Sequence, residues 1–195
     1  NIYSNLINLG SIRTGIKMPY NLAANEIFTV IPSAASIIRF SFTEPPQSGN
    51  VYYIASIPGV DISSSSSPII FTGLSGNTTY SISMKTMVDD NEYISPTNVS
   101  ITTAIQTPVD VELLSLDDAS FTVGFTVGRN TSSIIPAYYI LRATDISSGS
   151  YTDSSSNDGV LYTYGYDAGE TYSVDILTVV DNSMVSYGEL FSIST

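Results

Sequence analysis

The sequence has no cysteine, no histidine and no tryptophan, and only six lysines and arginines in 195 residues. Without cysteine there is neither a disulfide nor a thiolate metal site. That does not assign a reducing compartment, because domains of roughly 90 residues are stable without staples. Without histidine the usual general base and the commonest metal ligand are missing, which removes most hydrolase and transferase mechanisms. Six bases cannot build the face that nucleic-acid phosphates need, and a net charge of −12 repels them. No apolar run approaches the ~20 residues that cross a bilayer, so membrane insertion is not expected. No signal-peptide pattern opens the chain, and a start at Asn1 in place of Met reads as a processed or trimmed form.

What is present is a repeat. Thr72 to Val88 recurs ninety-two residues later as Tyr164 to Val180. In each copy a glycine-containing turn leads to a Thr-Tyr pair, Thr79-Tyr80 and Thr171-Tyr172. Apolar residues then fall at every second position, namely Tyr80, Ile82, Met84 and Tyr172, Val174, Ile176. A period of two marks a strand with one buried face. Further matches lie upstream: Ile38, Phe40, Phe42 against Phe121, Val123, Phe125, and Tyr52-Tyr53-Ile54 against Tyr138-Tyr139-Ile140. Abundant serine and threonine, with apolar content drawn mainly from Val, Ile, Tyr and Phe, favours β-structure with many turns.

The expected organisation is an N-terminal extension over 1–23, a first unit over 24–104, a linker over 105–108 and a second unit over 109–195. The first unit is expected to open with a strand at Ile27 to Ile31 and to turn at Pro32-Ser33. The extension carries Arg13 and Lys17 and no acid, giving +2; residues 24–106 carry −4; residues 107–195 carry −10. A linker this short restricts how far the units can swing.

Seven short strands in about ninety residues with regular turns read as an antiparallel two-sheet sandwich. The fold class is therefore all-β, two tandem sandwiches preceded by an extended segment. Leu74-Ser75-Gly76-Asn77-Thr78-Thr79-Tyr80 resembles the fibronectin type III signature before the sixth strand, and Tyr166 to Tyr172 is a weaker version with Tyr in place of Leu. The resemblance implies that Tyr80 and Tyr172 are tyrosine-corner residues whose hydroxyls bond to backbone. It also implies a core tryptophan in the second strand, where this chain has Phe42 and Phe125. In the second unit the alternation slips, leaving Thr163 where the first has Phe71.

Candidate chemistry is sparse. Asp89-Asp90-Asn91-Glu92 has oxygen ligands for calcium, but it sits between the last two strands and reads first as a solvated hairpin turn. Asp110, Glu112, Asp117 and Asp118 read first as an exposed face. No Arg-Gly-Asp sequence occurs. No metal, no cofactor and no enzymatic activity are expected. Asn77, Asn98 and Asn130 begin N-glycosylation sequons beside turns, and Ser63 to Ser67 is a further candidate for sugar.

The extension has no counterpart in the second unit. A strand-like segment needs a host, and Ile2, Tyr3, Leu6, Ile7, Leu9, Ile12 and Ile16 are the candidate donor residues. Laid on a neighbour's sheet edge, it would gain main-chain hydrogen bonds in a head-to-tail contact that does not close. The expectation is a structural protomer of an extracellular filament, its partners being copies of itself and covalent glycans. The alternative is a monomeric cell-surface adhesion or binding module of a larger ectodomain.

Overall fold

A computed structural model describes residues 15–27, 35–94, 98–134 and 136–194. Every regular element among the described residues is a β-strand and all named pairings are antiparallel. Among them no helix is long and apolar enough to cross a membrane.

Domain 1 stacks two sheets. One contains β1 (Tyr20–Glu26), β2 (Ser36–Thr43) and β5 (Ile69–Leu74), in the order β1-β2-β5. The other contains β3 (Val51–Ile57), β4 (Val60–Ser64), β6 (Thr79–Val88) and β7 (Asn91–Ile94), with β8 (Val99–Thr102) also paired to β6. Domain 2 repeats the plan. Its sheets are β13-β10-β9 and β12-β11-β14-β15, formed by β9 (Val109–Asp117), β10 (Ser120–Thr126), β11 (Tyr138–Asp145), β12 (Tyr151–Ser156), β13 (Val160–Tyr164), β14 (Thr171–Val180) and β15 (Ser183–Ser194).

The alternating residues that mark the strands in sequence are the ones that fill the two cores. Ile38 and Phe40 on β2, with Ile82 and Met84 on β6, have no exposed surface; Phe121 and Val123 on β10, with Val174 and Ile176 on β14, match them. Each side chain buried in this way contributes about 1.5–3 kcal/mol through the water it sheds. In place of a tryptophan each core holds an edge-to-face aromatic pair. Phe42 meets Tyr53 at 4.8 Å between centroids and Phe125 meets Tyr139 at 4.9 Å. This arrangement places a ring edge against a ring face and adds to simple burial.

The strand expected at Ile27 to Ile31 lies, after Ile27, outside the described residues. The first described strand is Tyr20–Glu26, pairing with β2 from Tyr20 opposite Thr43 to Glu26 opposite Ile38. Two causes act together. Buried Pro19 fixes the chain's approach, and Leu22 and Ala24 pack on the core although the segment lacks β-branched residues. The sequence boundary at residue 23 therefore falls inside a strand of domain 1.

Candidate interaction surfaces

The joint between the domains is densely hydrogen-bonded. The turn between β5 and β6 of domain 1 meets the loop after β10 of domain 2 in a parallel bridge between Gly76 and Asn130. The Gly76 N–H donates to the Arg129 carbonyl at 2.7 Å, and the Thr131 N–H donates to the Gly76 carbonyl at 3.0 Å. The Arg129 guanidinium donates to the Gly73 carbonyl at 2.6 Å, and the Asn77 side-chain amide donates to the Thr131 carbonyl at 3.1 Å.

The linker is pinned to both sides. Asn130 and Gln106 exchange two hydrogen bonds, Gln106 N–H to Oδ1 at 2.8 Å and Asn130 Nδ2 to the Gln106 carbonyl at 2.9 Å. Gln106 Nε2 reaches Ser36 Oγ at 2.7 Å, while Glu26 accepts from the Ala104 N–H at 2.8 Å. Glycine is required at 76 because a Cβ there would stand 2.5 Å from both the Ala104 carbonyl oxygen and Asn130 Oδ1. Its counterpart in domain 2, aligned on the Thr-Tyr pairs, is Ala168.

These bonds account for two of the three sequons. Asn77 and Asn130 are half-buried and their amides serve the joint, whereas Asn98 is exposed just ahead of β8. The Tyr80 hydroxyl accepts from the Ser75 N–H at 2.9 Å and the Tyr172 hydroxyl from the Asp167 N–H at 3.2 Å. Each ties a strand to the turn five residues upstream.

The carboxylates are used locally. Asp89 and Asp90 turn the β6–β7 hairpin with φ of +47° and +65°, the paired left-handed geometry of a two-residue hairpin turn. Asp89 also accepts from the Asn50 N–H at 2.9 Å. Asp181, at the matching turn of domain 2, accepts from Ser132, the Ser133 and Ile134 backbone and the Ser133 hydroxyl. Those hydrogen bonds, led by the one from Ser132, hold its carboxyl at about 2. Asp110 meets Thr126 Oγ1 at 3.3 Å. Among the described residues no three acidic groups gather as a metal site.

Of the donor residues, Ile2, Tyr3, Leu6, Ile7, Leu9 and Ile12 lie outside the described residues. Ile16 is placed against its own domain, in an open cleft with Pro46 to Gly49, Val88 and Asp89. Beside it the Lys17 N–H donates to Gln47 Oε1 at 3.0 Å, and Thr86 Oγ1 lies 4.0 Å from Met18 Sδ. Residues 15–19 thus run along domain 1, with Ile16 half-buried at the cleft.

Two further surfaces are not announced by the sequence. Tyr162 and Tyr164 stand side by side on the outer face of β13, 54% and 73% exposed, with centroids 6.0 Å apart. The far end of domain 2 gathers Asp117, Asp118, Asp145, Asp167 and Glu170 in neighbouring turns, joined where Gly165 bonds Ala119 and Ile146 bonds Thr171.

No family model and no curated protein matches the sequence. Among solved structures, a two-domain fibronectin type III segment of chicken tenascin is similar, at a TM-score of 0.59 and 18% identity, over 91% of this chain and 99% of that one. The FN1–FN3 domains of chicken CNTN1 align at a TM-score of 0.35 and 11% identity, over 90% of this chain and 66% of that one. At 18% identity the likeness to the tenascin segment carries the fold and not the ligand. With two separate cores, matching strand orders and the corner tyrosines in place, the chain folds as a tandem pair of fibronectin type III-like β-sandwiches.

Proposed function

We propose that the protein is a non-enzymatic structural protomer of an extracellular or cell-surface assembly, joined head to tail through the residues that precede Gly15. The observation that carries this reading is the polarity of a strut with a bonded joint. The basic leader enters at the end of domain 1 away from the linker, and domain 2 carries the −10 charge. A segment whose one charge is Arg13, set at the other end of the chain from an acidic domain 2, favours end-to-end contact over pairing about a twofold axis. Salt screens this steering beyond about 10 Å at moderate ionic strength, so contact must be completed by packing. That contact is not a copy of the internal joint, because Ala168 stands where Gly76 lets the backbones approach.

Sedimentation velocity of the full chain over a concentration series, with imaging of the same samples, is the test. Growing polymers that vanish when residues 1–14 are deleted support the reading. A concentration-independent species at 20.9 kDa ends it.

A second reading rests on Tyr162 and Tyr164. Exposed neighbouring tyrosines are costly to leave in water and are enriched at interfaces. On this reading the domain pair is a monomeric adhesion module that grips its ligand on the outer face of β13. A Tyr162→Ser/Tyr164→Ser chain that loses adhesion while remaining folded supports it.

A further inference from the structure

The two domains close their sandwiches differently. In domain 1, β1 runs beside β8, and Leu22, Ala24, Val99 and Ile101 fill the seam half-buried against the core. In domain 2, Val111 of β9 and Phe191 of β15 are likewise half-buried against the core, but β9 makes no comparable approach to β15 among the described residues. Leu113 stands opposite Val123 and Leu116 opposite Phe121, and both partners are wholly buried. Directly opposed residues of an antiparallel pair share a face. Both leucines therefore belong to the inner face, yet they are 42% and 44% exposed. Domain 1 has a small and a charged residue in that register, Ala24 opposite Phe40 and Glu26 opposite Ile38.

Among the described residues β9 is also an edge strand, paired with β10 alone. An edge with unpaired backbone groups and uncovered leucines is what folded sheets ordinarily avoid. We propose, resting on the assembly reading above, that the free edge of β9 accepts the segment preceding Gly15 from a second copy. That segment adds as a strand and covers Leu113 and Leu116.

Three features select this occupant. The segment alternates loosely with Tyr3, Ile7 and Leu9, so one face suits the leucines. Its one charged residue is Arg13, while β9 carries Asp110, Glu112 and Asp117 and no base, so the charges are complementary. Fourteen extended residues reach about 45 Å, enough to line the roughly 30 Å of a nine-residue strand. In cis the segment would first double back along domain 1, spending more than about 20 Å of that reach.

The test compares the full chain with Leu113→Asp/Leu116→Asp and with Ile146→Asp, an exposed-residue control, by sedimentation velocity and circular dichroism. The expected result is polymers from the wild type and the control and folded monomers from the double variant. Polymers from the double variant overturn the acceptor assignment and leave the assembly reading standing. Monomers from the wild type end both. Should the double variant misfold, a second measurement decides, since the chain has no native cysteine. Chains carrying Ile7→Cys are mixed with chains carrying Leu116→Cys and treated with a short bismaleimide. A covalent dimer absent with Ile146→Cys supports the acceptor, and equal yields from both overturn it.

Discussion

Thr163 and Tyr166 share a hydroxyl–hydroxyl hydrogen bond inside domain 2, at the positions where domain 1 places Phe71 and Leu74. The break in alternation at Thr163 is thus one half of a coupled exchange: two apolar residues in one domain, two bonded hydroxyls in the other. Tyr166 also stacks on Phe121 at 5.2 Å, so its ring replaces apolar volume while its oxygen finds a partner. Thr163→Val strands the tyrosine hydroxyl and is expected to cost domain 2 about 1–3 kcal/mol. The pair Thr163→Val/Tyr166→Phe should recover most of that loss, which a double-mutant cycle from urea melts will show.

Tyr80→Phe removes the acceptor of the Ser75 N–H. A backbone donor left without a partner costs about 1–3 kcal/mol, and the loss should fall on domain 1 alone. Hydrogen exchange at Ser75 is the direct check, with faster exchange expected there and unchanged protection in domain 2.

Gly76→Ala places a methyl group 2.5 Å from the Ala104 carbonyl oxygen and Asn130 Oδ1. Both atoms are held, one by the backbone and one by its bonds to Gln106, so the domains must part. The expected outcome is two intact domains with a loosened joint, read as a wider range of interdomain distances by small-angle scattering. Asn130→Ala should loosen the joint in the same direction without the steric clash.

Asp181 sets an acid limit on the loop after β10. Its folded pKa, about 2, lies below the ordinary 3.8. The stabilisation is therefore complete above about pH 4 and is lost as pH falls towards 2. Asp181→Asn removes this dependence. Thermal melts of the two chains should differ at pH 5 and converge near pH 2.

The fold was legible because period-two apolar residues and the Thr-Tyr pairs report burial directly. β1 was not legible because its residues Tyr20–Glu26 have weak strand propensity and are held by pairing with β2. The joint is built largely from backbone groups and short amides, which carry no periodic signal. Leu113 and Leu116 read as ordinary strand residues; only the register against Val123 and Phe121 shows that they stand opposite buried residues while remaining exposed. Thr163 was noticed as an irregularity, but its partner three residues on could be identified only from contact.

The glycine at 76 and the alanine at 168 also make the order of the two domains irreversible. Were the halves of the coding sequence exchanged, each sandwich would still find its own core. The turn then required to approach its neighbour would carry a methyl group where no room exists. The direction of the pair is thus written in part into the absence of a single methyl group.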